Sequence, residues 1–167
     1  MSVDQHKAQA PASVACFVLT VSDTRTEDTD TSGRAIRALL EGGGHTISGT
    51  AIVRDDPALV AACVRRQLAD AATRVIITTG GTGITSRDGT FEAVDRLLEK
   101  RLEGFGELFR MLSFDEIRAA AMLTRATAGT VGRKAIFVLP GSEAAVRLAM
   151  TRLIVPELGH VVQQLDK

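Results

Sequence analysis

At 167 residues the chain has the length of one domain with a real hydrophobic core. Lysine plus arginine balances aspartate plus glutamate at 20 each, which, a local patch aside, argues against strong non-specific affinity for nucleic acid or anionic membrane. Apolar residues at 45% and charged residues at 24% describe a soluble globular chain, and 4% aromatics without Trp or Tyr argue against a base-stacking platform.

Met1 to Ala12 has no basic stretch leading into an apolar core. It reads as a flexible tail before a single domain at residues 13–167, without signal peptide or membrane span, and the expected location is the cytoplasm. Val14 to Val21 is apolar throughout, as a central strand would be, and ends in Ser22-Asp23-Thr24-Arg25. Thr31 and Ser32 are N-cap candidates for a helix whose Ile36, Leu39 and Leu40 share a face and which Gly42-Gly43-Gly44 ends. His45 to Val53 is a second strand. Asp56 and Pro57 fit an N-cap and first helical position, which leaves Asp55 with no structural task of its own.

Val75 to Thr79 is a third strand, buried on both faces, and breaks into Gly80-Gly81-Thr82-Gly83-Ile84-Thr85-Ser86-Arg87-Asp88. Strand, glycine loop and helix together make a geometry in which backbone N–H groups can hold phosphate, although the glycines alone fit a tight βα turn that binds nothing at least as well. Ser86 stands where a dinucleotide fingerprint needs its third glycine, and no Gly-Lys-Ser/Thr follows, so the loop matches neither the Rossmann nor the Walker pattern. Asp88 has two readings: a ligand of Mg²⁺ beside bound phosphate, or a cap for the next helix.

Phe91 to Leu102 reads as that helix, ending near Gly104, and a short helix is expected around Phe114 to Met122. The apolar content of this region is either extra core or an oligomer interface. Arg125 to Val131 and Lys134 to Leu139, joined by Gly132-Arg133, are close enough to pair only antiparallel, which makes the first a sheet edge. Pro140-Gly141-Ser142 follows, then helices over Glu143 to Ile154 and Pro156 to Leu165. Cys16 and Cys63 read as buried free thiols, and with His6, His45 and His160 they show no metal spacing.

The β-α alternation predicts an α/β layer fold with a mostly parallel sheet. Right-handed crossovers bring Ser22-Asp23, Asp55, Gly80 to Asp88 and Pro140-Gly141-Ser142 to the carboxyl edge of that sheet, where ligands bind. Two carboxylates beside glycine loops suggest Mg²⁺ and a phosphate-bearing substrate, with Ser22 and Asp23 as nucleotide contacts or rim supports.

Thr78-Thr79-Gly80-Gly81-Thr82-Gly83 with Arg87-Asp88, then Leu139-Pro140-Gly141-Ser142, together resemble the molybdopterin-binding family of MogA, MoaB and the gephyrin G domain. Val21-Ser22-Asp23, Asp30-Thr31-Ser32-Gly33 and Gly44-His45 fit the same family, and Phe105-Gly106-Glu107 with Arg110 to Phe114 look most like its MoaB branch. The resemblance runs from about Val14 to the last helix. It implies a three-layer α/β/α sandwich, a mostly parallel sheet with an antiparallel edge strand, assembled as a homotrimer or homohexamer. It implies Mg-ATP-dependent adenylylation of molybdopterin with release of pyrophosphate. Asp55 and Asp88 align with the catalytic, Mg²⁺-holding acids. The loops that hold pterin and phosphates align with Thr79 to Gly83 and Pro140, Gly141 and Ser142. Molybdopterin and ATP are the implied partners, with other proteins of molybdenum cofactor biosynthesis as further candidates; a non-catalytic molybdopterin carrier is the alternative. Arg54 and Glu143 stand where many members have proline.

Overall fold

The computed structural model describes residues 2–167, apart from the side chains of Asp4 and His6. Among the described residues six strands form one sheet: β1 (Ala15–Val21), β2 (Thr46–Val53), β3 (Val75–Thr79), β4 (Lys100–Arg101), β5 (Thr127–Val131) and β6 (Lys134–Leu139). Their order is β2-β1-β3-β6-β5-β4, with β2, β1, β3 and β6 parallel and β5 antiparallel to β6. The α/β fold with a mostly parallel sheet is therefore as the sequence leads one to expect.

Alternation along the central strands builds two cores, one on each face. Cys16 and Val18 of β1, Val75 and Ile77 of β3, and Ala135, Phe137 and Leu139 of β6 face one layer, made by α2 (Thr31–Gly42), α5 (Glu103–Ile117), α6 (Glu143–Ala149) and α7 (Val155–Leu165). Phe17, Leu19 and Val21, Ile76, and Ile136 and Val138 face α3 (Pro57–Ala69) and α4 (Thr90–Asp95). The two-residue period of a strand thus assigns each side chain its layer. Cys16 and Cys63 are free and buried in opposite layers, and burial pushes the Cys16 thiol up to about 12. In the segment read as a tail, Val3–Ala8 form a short helix, α1, that touches α7 through the Lys7–Glu157 ion pair.

Several expected boundaries move. The N-cap of α2 is Asp30, not Thr31 or Ser32: its carboxylate accepts the Gly33 N–H at 2.9 Å and the Thr20 hydroxyl at 2.6 Å. The helix expected over Phe91 to Leu102 stops at Asp95, because the Glu99 and Leu102 N–H groups bond to Thr130 and Ala128 and pull Lys100–Arg101 into the sheet as β4. Gly129 permits this approach; a Cβ there would lie 2.4 Å from the Lys100 carbonyl oxygen. The sheet edge is consequently β4, one strand beyond β5. The short helix expected around Phe114 to Met122 is instead the end of α5 followed by a 3₁₀ turn, Arg118–Leu123. Between α6 and α7 the chain does not break but passes through a π-turn, Met150–Ile154, which opens the helical ladder just before Pro156.

Candidate active site at the carboxyl edge of the sheet

The parallel strands end in loops on one side, and these loops enclose a cleft of about 510 Å³. Val21 at the end of β1 with Ser22 and Asp23 after it, Asp55 after β2, Gly80 to Gly83 and Asp88 after β3, and Pro140 and Gly141 after β6 line it. The loops are tied together: the Ser22 backbone N–H donates to the Val53 carbonyl at 2.9 Å and the Gly80 N–H to that of Leu139 at 3.0 Å.

Two glycines do what no other residue can at these positions. Gly80 has φ +103 and Gly81 φ +72, and added Cβ atoms would lie 2.1 Å from the Val21 carbonyl oxygen and 2.1 Å from Thr90 Oγ1. The chain can therefore turn twice in succession against its neighbours and expose its backbone to the cleft.

Asp88 does not cap α4, whose cap position is Gly89 without a side-chain bond. Its Oδ2 instead accepts the Thr85 N–H at 2.8 Å and the Thr85 hydroxyl at 2.6 Å, so the carboxylate organises the loop that carries it. Asp55 is tied to the same loop through the Gly89 N–H, 3.3 Å from Oδ1. Asp23 spans the mouth: it accepts the Asp55 N–H at 3.1 Å and takes three bonds from Nε and Nη2 of Arg87, the shortest 2.8 Å. The acids sit in unlike fields. Burial is the largest influence on Asp55 and raises its pKa; the Gly89 N–H offsets part of the rise, and the charges of Asp88 and Asp23 push in the same direction as burial. Burial also works against ionised Asp88, but the bonds from Thr85 and Gly83 and the charge of Arg125 outweigh it and hold the pKa below its ordinary value. The Arg87 bond is the largest influence lowering Asp23.

Two expected contact residues stand apart from the cleft lining. Thr79 is buried beneath it, its hydroxyl donating to the Pro140 carbonyl at 2.7 Å, and Ser142 accepts the Ala145 N–H as the N-cap of α6. Ser32 adds support unforeseen from the sequence, donating to the Gly141 carbonyl at 2.8 Å. The remaining wall, Ala120, Leu123 and Thr124, also escapes sequence reasoning. It is delivered by the 3₁₀ turn, entered through Arg118 with φ 56, a conformation disfavoured for a side-chain-bearing residue. That strained residue leaves no mark in sequence patterning.

The layered fold, with a glycine-loop cleft at the carboxyl ends of its parallel strands, places the chain among the open-sheet α/β proteins. The model of a family described as "Probable molybdopterin binding domain" matches residues 17–160, and the chain belongs to that family. Molybdenum cofactor biosynthesis protein B of Bacillus anthracis is 51% identical over 168 residues, spanning 100% of this chain and 99% of the relative. A crystal structure of a Molybdenum cofactor biosynthesis protein B superposes with TM-score 0.91 at 51% identity, covering 95% of this chain and 99% of the other. The tungsten cofactor synthesizing protein MoaB from Pyrococcus furiosus superposes with TM-score 0.84 at 36% identity, over 95% and 100% of the two chains.

Proposed function

We propose that this chain acts in molybdenum cofactor biosynthesis as a molybdopterin adenylyltransferase. The observation that carries the reading is the meeting of Asp55 and Asp88 in one cleft floored by glycine backbone. Among the described residues no three His, Cys, Asp or Glu side chains converge as a ready metal cage. Two carboxylates fit Mg²⁺ in its usual mode, shared between one or two acids and substrate phosphates, and the bound ion would offset charge on the triphosphate and the leaving pyrophosphate.

An oxygen of the molybdopterin terminal phosphate attacks the α-phosphorus of ATP; the bond to the bridging oxygen of the β-phosphate breaks, and pyrophosphate departs. Such a transfer needs alignment and charge neutralisation rather than a protein nucleophile. Backbone N–H groups of Gly81 and Thr82 orient the phosphates, Asp23 and Arg87 hold the mouth, and Ala120 and Leu123 give a flat heterocycle an apolar wall. The chain also assembles with copies of itself: Leu108, Met111, Phe114 and Ile117 lie three residues apart along α5, each 47–59% exposed, a face that a single copy leaves in water.

The test is purified protein with molybdopterin and MgATP, followed for adenylyl-molybdopterin and pyrophosphate. Product is expected from the wild type and none from Asp88→Ala. Full activity in that variant would sink the role of Asp88; molybdopterin bound without pyrophosphate release would make the chain a carrier.

A further inference from the structure

Arg125 lies behind the glycine loop, half-buried, outside the residues that line the cleft. Its guanidinium joins the two ends of that loop. Nε donates to the Gly83 carbonyl at 3.0 Å, and Nη2 to the Asp88 carbonyl at 3.3 Å. Nη1 pairs with Glu92 on α4, and the group lies 5.2 Å from the centre of the Phe91 ring. The Arg125 N–H donates to the Thr82 carbonyl at 3.0 Å. A single residue 42 positions further along the chain than Gly83 thus takes up three carbonyls of the loop.

The physical need is plain. A loop that offers N–H groups to an anion turns carbonyls the opposite way. Carbonyls turned into protein need donors there, or the loop rearranges to find them. We infer that Arg125 is a positioning residue: its rigid fork holds the Gly83 and Asp88 carbonyls back and so fixes the face that the loop N–H groups and the Asp88 carboxylate present to nucleotide phosphates. This rests on the nucleotide reading above. An ion pair serving stability alone would require Glu92 and nothing from the loop, and so exposed a pair adds little. Lysine at 125 keeps the charge and can meet Glu92, but has no planar fork to span two carbonyls.

Steady-state adenylyl transfer by the intact chain, comparing wild type, Arg125→Lys and Glu92→Gln, separates these roles. KM does not depend on what fraction of a preparation is folded, so partial misfolding of a variant does not obscure it; equilibrium binding of MgATP replaces KM where turnover is too slow. Arg125→Lys is expected to raise KM for MgATP about tenfold or more, and Glu92→Gln to change it less than about threefold. A wild-type KM in Arg125→Lys, or equal shifts in both variants, overturns the proposal while leaving the enzyme reading in place. A wild-type chain that makes no product overturns the enzyme reading, and this inference with it.

Discussion

Asp55 and Asp88 are the same residue type in the same cleft, and their surroundings separate them. Asp88 is fixed by donors from its own loop and stays ionised into acid; Asp55 has one long N–H bond, partial burial and two neighbouring acids. As pH falls, Asp55 takes its proton first, above the ordinary carboxylate value of 3.8, and the cleft loses one charge while Asp88 keeps its own. The acid limb of kcat/KM against pH is therefore expected to bend above 3.8. A profile flat to below that value would detach Asp55 from the chemistry. For stability the signs are opposite. The lowered pKa of Asp88 contributes stability above 3.8, lost as pH drops through its folded value, whereas raised Asp55 costs stability when ionised and recovers it on protonation. That both acids belong near the glycine loop was legible from their places after strands. Their unlike environments were not, since these depend on Thr85, Gly83, Gly89 and Asp23 folding around them.

Elements whose signals are local came through intact, and those decided by distant partners did not. Asp56 and Pro57 open α3 as the sequence suggests, with the Asp56 carboxylate accepting the Ala58 N–H at 2.8 Å and the Leu59 N–H at 3.2 Å. Asp56→Ala is expected to cost about 1 kcal/mol in a denaturant titration while leaving adenylyl transfer unchanged. Loss of transfer at constant stability would mean that the cap residue, not only its neighbour Asp55, serves the site. At α2 three consecutive residues, Asp30, Thr31 and Ser32, are all good caps, and local preference cannot choose among them. Thr20 on β1 chooses, by donating its hydroxyl to Asp30. The stretch after α4 departs from its helical expectation for a similar reason. Val94, Leu97 and Leu98 have helical spacing, but hydrogen bonds offered by β5 across Gly129 hold the chain extended instead.

For the molecule as a whole, the exposed apolar face of α5 is the feature that one copy leaves unexplained. Met111 is 59% exposed, so Met111→Glu on an isolated chain would change stability by less than about 0.5 kcal/mol. In an assembly built on this face the same substitution places a charge in an apolar contact. Sedimentation velocity is expected to show an oligomer for the wild type and a smaller species for the variant, with the same far-UV spectrum; a wild-type monomer at micromolar concentration would refute the assembly. By itself the sequence determined the layered α/β class, the side of the sheet that carries the loops, and the acids and glycines gathered there. Strand periodicity, crossover handedness and the steric freedom of glycine are properties of short stretches. Only the tertiary structure decided the edge strand, the cap of α2, the wall carried by the 3₁₀ turn and the grip of Arg125 on the glycine loop. Each of these is fixed by a partner far away in the chain, and no local pattern records which partner will arrive.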